Sequence, residues 1–99
     1  MLVEFEDDDL GRLFEDLGFH LARLGPDLTK AFRKTVTFIQ AATDERDLYA
    51  MKSRHYEKLE GDRAGQHSLR LNDQWRLIVQ LRDTEDGKAI DVIEIEDYH

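Results

Sequence analysis

The 99-residue chain has no cysteine. Neither a disulfide nor a thiolate metal site can hold its fold, which fits a reducing, cytoplasmic setting. No apolar run approaches the roughly 20 residues that a membrane-spanning helix needs, so no membrane partner is expected. The start, Met1-Leu2-Val3-Glu4-Phe5-Glu6, lacks a basic region ahead of an apolar stretch and does not read as a signal peptide. Internal repeats and low-complexity segments are missing. The four histidines, His20, His55, His67 and His99, have no metal-ligand spacing. Gly61 and Gly65 bracket a loop without forming a phosphate cradle. No metal and no cofactor are expected. A chain this short buries only about 65% of its unfolded surface, so one small domain over residues 1–99 with a thin stability margin is expected.

An overall basic charge is lacking too, since the net charge is -8. That argues against nucleic acid until its distribution is read. Residues 1–16 hold seven acids against Arg12, and residues 83–99 hold seven against Lys88. Residues 51–82 reverse the balance, with seven bases (Lys52, Arg54, Lys58, Arg63, Arg70, Arg76, Arg82) against four acids. Screening removes the influence of charges beyond about 8 Å at physiological salt, so this strip can meet phosphates. Global acidity slows encounter with RNA all the same.

Leu2 to Phe5 alternates and reads as a short strand. Asp7-Asp8-Asp9 supplies N-cap carboxylates for a helix over Leu10 to Leu17, a structural role that needs no metal. Pro26 suits the first position of a second helix, with Asp27 in its first turn. Leu28, Phe32, Val36 and Ile39 recur at helical spacing, Ala31, Thr35 and Ala42 fill the same face, and Lys30, Arg33 and Lys34 lie outside it. Thr43 with Asp44 caps a short turn to Leu48 or Met51. The period then switches to two. Tyr56 to Leu59 reads as a strand, as do His67 to Leu71, Trp75 to Leu81 and Ala89 to Ile95, with Asn72-Asp73 as a two-residue hairpin turn of positive φ. One strand, then helices, then a meander makes an α+β domain, with two to three helices on one face of a mainly antiparallel twisted sheet.

That hairpin turns Arg70 and Arg76 to one side of the sheet and Leu69, Leu71, Trp75 and Leu77 to the helices. Two arginine forks on one face suit a phosphate, although arginines on a hairpin also serve as a solvated, salt-bridged surface. The last strand leads to Asp97-Tyr98-His99, and pairing beside the hairpin would bring those groups to the same face.

The run from Leu48 onward, with Gly61-Asp62-Arg63-Ala64-Gly65-Gln66, the stretch Arg70-Leu71-Asn72-Asp73-Gln74-Trp75-Arg76 and the ending Asp97-Tyr98-His99, resembles the HigB branch of the RelE/ParE toxin superfamily. The two preceding helices match in order and approximate length. The resemblance implies a RelE-like fold and a type II toxin, a ribosome-dependent endoribonuclease that cuts mRNA in the 30S A site. Attack of a ribose 2′-OH on the adjacent phosphate, without metal, needs a base, an acid for the 5′-oxygen, and cations for the charge on phosphate.

By the same resemblance, Arg76 is the sheet arginine that stabilises the phosphate and Arg70 the neighbouring basic position. Asp97, Tyr98 and His99 match the terminal cluster: His99 as acid or base, Tyr98 to stack or move a proton, Asp97 to orient His99. Arg63 and Lys58 are candidate RNA contacts. Some members place a histidine just before the Gly-Asp loop, where this chain has Glu57. His55 stands two residues earlier on what would be the same strand face, so either residue could serve. The implied partners are a HigA-like helix-turn-helix antitoxin, the ribosome and mRNA, with operator DNA reached only through the antitoxin. Two other readings stand beside this one: a ParE-like toxin that binds DNA gyrase, and an inactive homologue that retains only antitoxin binding.

Overall fold

The computed structural model describes residues 1–97, leaving Tyr98 and His99 outside the described residues. The elements run β1 (Leu2–Phe5), α1 (Asp8–Glu15), α2 (Gly25–Ala41), α3 (Glu45–Ala50), β2 (Glu57–Lys58), β3 (Gln66–Arg70), β4 (Trp75–Thr84) and β5 (Gly87–Asp97). Short 3-10 turns at Lys52–Arg54 and Gly61–Arg63 flank β2. The sheet order is β1-β5-β4-β3-β2. β1 runs parallel to β5 and every other pairing is antiparallel. Among the described residues no helix is long and apolar enough to cross a membrane.

The helices begin where their caps dictate. Asp7 Oδ1 accepts from the amides of Asp9 at 2.8 Å and Leu10 at 3.2 Å, satisfying two of the donors that a helix start leaves over. Asp44 does the same for α3 through the Arg46 amide. Pro26, expected at the first position of α2, is its second residue, after Gly25. α1 stops at Glu15, two residues before the expected Leu17, which is 73% exposed. The cause is Arg33 on α2. Its guanidinium donates to the carbonyls of Leu13, Asp16, Leu17 and Phe19, so it closes the end of α1 from outside. The Met1 ammonium does similar work for α2, donating to the Ile39, Gln40 and Ala42 carbonyls.

Leu10, Leu13, Leu28, Phe32, Val36 and Ile39 of the helices meet Leu69, Leu77, Val79, Ile90 and Val92 of the sheet in one core. Strand alternation leaves the other sheet face outside the helical layer.

Two details of register decide what that other face carries. The β3–β4 hairpin has a three-residue loop, not the two-residue Asn72-Asp73 turn. The Leu71 amide bonds to the Trp75 carbonyl at 2.9 Å, and neither Asn72 nor Asp73 has positive φ. Asn72 Oδ1 instead accepts from the amides of Gln74 (2.9 Å) and Trp75 (2.8 Å). The difference matters. A two-residue turn would pair Arg70 with Trp75 and send Arg76 to the opposite face, whereas the longer loop pairs Arg70 with Arg76 on one face.

The second detail is a bulge. Ile78 pairs with Glu94 and Val79 with Val92, so Ile93 is skipped. Simple alternation from Ile90 and Val92 would aim Glu94 and Glu96 at the helices. The skip puts Ile95 there and turns both glutamates outward.

Candidate functional site

On the open face, next to β2 and the Gly61–Arg63 turn, lies a cleft of about 270 Å³. Ser68 and Ile78, each 1% exposed, form its floor, and Arg63, Arg76, Glu96 and Asp97 stand around it. Three strands, β3, β4 and β5, thus deliver one wall each.

Arg76 is the more enclosed of the two cleft guanidiniums, its side chain 12% exposed against 34% for Arg63. Its guanidinium donates to the His55 carbonyl at 3.2 Å and to Ser68 Oγ at 3.4 Å, and lies 3.3 Å from Glu57 Oε1. His55 is the one described non-glycine residue at positive φ, 48°. That left-handed backbone closes the Lys52–Arg54 turn through the His55 amide and leaves the carbonyl available to Arg76. β2 begins only at Glu57, so His55 and Glu57 do not share a strand face. Glu57 pairs with Ser68 and lies on the cleft side, while His55 meets Arg76 through its backbone.

The other sequence candidates divide. Arg70 shares the face of Arg76, but its guanidinium is held at the hairpin loop by Asp73 and the Asn72 carbonyl. Arg63 lines the cleft with its Nη2 2.6 Å from Glu94 Oε1 and 3.3 Å from Glu96 Oε1, and with Nη1 donating to Gln66 Oε1. The hydrogen bond to Glu94, helped by the charge of Glu96, raises its pKa further above the ordinary range. Lys58 pairs with His67 and therefore falls on the helix-side face, away from the cleft. Asp97 lines the cleft and accepts from Gln74 Nε2 at 3.2 Å. Tyr98 and His99 lie outside the described residues.

His67 belongs to a separate buried group. It stacks on Tyr56 with centroids 4.7 Å apart, and its Nε2 lies 3.5 Å from Glu45 Oε2. Tyr56 donates to that same carboxylate at 3.0 Å. Burial holds the imidazole pKa below the usual histidine range, against the pull of Glu45. Burial also drives the Tyr56 phenol well above its ordinary value, with the Glu45 bond adding to it.

Sequence reasoning missed Glu96, which lines the cleft, and Glu94, which pairs with Arg63 beside it. A signal was present: the apolar phase set by Ile90 and Val92 breaks at Ile93 and resumes at Ile95, as a bulge requires. Glu60, Glu96 and Asp97 line the cleft, and Glu57 and Glu94 pair with its guanidiniums Arg76 and Arg63. Among the described residues no group of three or more histidine or acidic side chains converges as a metal site.

Comparison with known proteins agrees with this architecture. The chain is 37% identical over 84 residues to Toxin HigB-1 of Vibrio cholerae serotype O1 (strain ATCC 39315 / El Tor Inaba N16961), covering 84% of this chain and 86% of the relative. Its fold is similar to YafQ from E. coli strain BL21(DE3), with a TM-score of 0.60 at 11% identity over 96% of this chain and 90% of that one. It is also similar to the YoeB/ParE toxin from Agrobacterium tumefaciens, with a TM-score of 0.56 at 16% identity over the full length of both. The YoeB-YefM complex from Staphylococcus aureus gives a TM-score of 0.56 at 17% identity over 100% of this chain and 98% of that one. The family described as RelE-like toxin of type II toxin-antitoxin system HigB matches residues 3–99, and the chain belongs to it.

Proposed function

We propose that this toxin is a cytoplasmic mRNA endoribonuclease that cleaves in the ribosomal A site without metal and is neutralised by a HigA-like helix-turn-helix antitoxin. The observation that carries the reading is the seating of Arg76. A guanidinium fixed by a backbone carbonyl and a serine hydroxyl, on a cleft floor, is a preorganised donor for a phosphate oxygen. In the reaction the ribose 2′-oxygen bonds to phosphorus and the bond from phosphorus to the 5′-oxygen breaks. Arg76 stabilises the charge on the phosphoryl oxygens. Glu57, 3.3 Å from Arg76 and paired with Ser68, takes the 2′-OH proton in this reading. His99 donates to the leaving 5′-oxygen, Asp97 orients it and Tyr98 stacks on a base. Arg70 supports the neighbouring phosphate from the hairpin. The antitoxin alone contacts operator DNA.

The test is induced expression with mapping of mRNA 5′ ends, comparing the intact chain, Arg76→Ala, and a chain ending at Asp97. Growth arrest with new cuts inside translated codons, lost in both variants, supports the nuclease. Arrest without cuts and indifferent to the shortened end moves the function to a gyrase-binding toxin. No arrest from the intact chain points to a homologue that only binds antitoxin.

A further inference from the structure

The cleft presents two guanidiniums, and both are engaged within the chain, Arg76 by the His55 carbonyl, Ser68 and Glu57, and Arg63 by a pair of glutamates. Arg63 Nη2 sits between Glu94 and Glu96, at 2.6 and 3.3 Å. A carboxylate and a phosphate offer a guanidinium fork much the same pair of acceptor oxygens. Glu96 is also the direct register partner of Arg76, so the carboxylates that hold Arg63 stand beside the cation of the proposed phosphate site. Both glutamates reach this face only through the skip at Ile93, since uninterrupted alternation would direct them inward.

We infer that Glu94 and Glu96 are positioning residues that occupy Arg63 in place of an RNA phosphate and so make the cleft a poor binder of RNA in solution. This rests on the RNA-cleavage reading above. A strand arriving by diffusion meets more carboxylates than guanidiniums and must compete with Glu94 and Glu96 to reach Arg63. A strand already held by an external scaffold brings its phosphate at high effective concentration, and the exchange then goes forward. The Arg63 side chain is 34% exposed and those of Glu94 and Glu96 are 45% and 41% exposed, so the internal pairs are solvent-screened and open to competition. The arrangement selects RNA presented by a scaffold over unbound RNA.

The test uses the full chain and a short, fluorescently labelled, 2′-O-methyl single-stranded RNA, which lacks the attacking hydroxyl. Binding is followed by anisotropy across a range of salt. Glu94→Gln/Glu96→Gln should bind about tenfold more tightly than the parent, with a salt dependence steeper by roughly 0.7 for the added phosphate contact. Adding Arg63→Ala should remove that gain. An unchanged affinity, or a gain that survives Arg63→Ala, overturns the inference. Should the double variant fail to fold, Glu96→Gln alone leaves the closer Glu94 pair and should give a smaller gain, about threefold; no gain there overturns it equally. Arg76→Ala, assayed for cleavage on ribosomes, tests the underlying reading separately. Full cleavage by that variant would sink the nuclease site while leaving the Arg63 exchange to stand on its binding data.

Discussion

Arg70 and Arg76 face each other directly across the β3–β4 hairpin, yet their guanidiniums are anchored in different places. Like charges in that position repel. Here Arg70 turns to Asp73 and the Asn72 carbonyl, while Arg76 enters the cleft toward the His55 carbonyl, Ser68 and Glu57. The two arginines should therefore differ in function. Arg76→Ala is expected to lower the cleavage rate on ribosomes by about 10²–10³-fold, the usual loss for one preorganised transition-state donor. Arg76→Lys should recover only a small part, because an ammonium cannot reproduce the planar fork. Arg70→Ala should stay within about tenfold of the parent, as a solvent-exposed charge contributes little. Equal losses for the two alanine variants would refute this division.

Asn72 fixes the register on which that face depends. Its side-chain oxygen holds the Gln74 and Trp75 amides. Asn72→Ala removes the acceptor from an exposed turn where water substitutes in part, so the expected loss is about 1 kcal/mol. In a domain of this size that lowers Tm by roughly 4–8 °C. Asn72→Asp keeps an oxygen in place and should hold most of the stability. Thermal unfolding of the two variants decides the matter, and an Asp variant as weak as the Ala variant would contradict the proposed role of the oxygen.

The helical stripe of α2, the Asp7 cap and the alternation of Leu69, Leu71, Leu77 and Val79 were legible because each is local, set by spacing along a single element. The placement of Arg70 and Arg76 on one face was legible for the same reason. The turn between them was not, since Asn72-Asp73 suits a two-residue loop locally and the burial of Trp75 and Leu77 against the helices demands the longer one. Arg33 looked like an outward charge on α2, and only packing brings α1's last carbonyls within its reach. Arg63 and its glutamates lie 31 and 33 residues apart in sequence, so their pairing depends on sheet order and the bulge. His55 was legible as a candidate by type, but its contribution comes from a carbonyl aimed by left-handed backbone, which no side-chain pattern signals.

Arg33 offers a test of stability remote from the cleft. It satisfies the carbonyls of Leu13, Asp16, Leu17 and Phe19, and Arg12 stacks over the Phe19 ring at 4.3 Å in the same segment. Arg33→Met keeps most of the aliphatic packing and removes every one of those donors. The expected cost is about 1–3 kcal/mol, with hydrogen exchange accelerating first around residues 16–19. Arg33→Lys should fall between, since one ammonium cannot span all the carbonyls. Exchange that rises evenly over the whole domain would instead mean that the arginine supports global packing and not the end of α1.

Acid sensitivity should trace in part to His67. Burial holds its pKa below the ordinary histidine range, with Glu45 opposing the shift, so the folded state favours the neutral ring. The unfolded chain then binds the proton more readily. This contribution is fully present above about pH 6.5 and is lost as pH falls from there through the folded-state value. Its Nδ1 is buried with no hydrogen-bond partner among the described residues, so replacing the ring nitrogen leaves nothing unsatisfied on that side. His67→Phe can keep the stack on Tyr56 while removing the proton site, at the loss of the 3.5 Å contact to Glu45. Near pH 7.5 its stability should match the parent within about 1 kcal/mol, and between about pH 7 and pH 5 its Tm should fall less steeply. Carboxylates protonating at lower pH affect both proteins alike, so the difference between the two curves isolates the histidine. Parallel curves would assign the acid loss to the carboxylates alone.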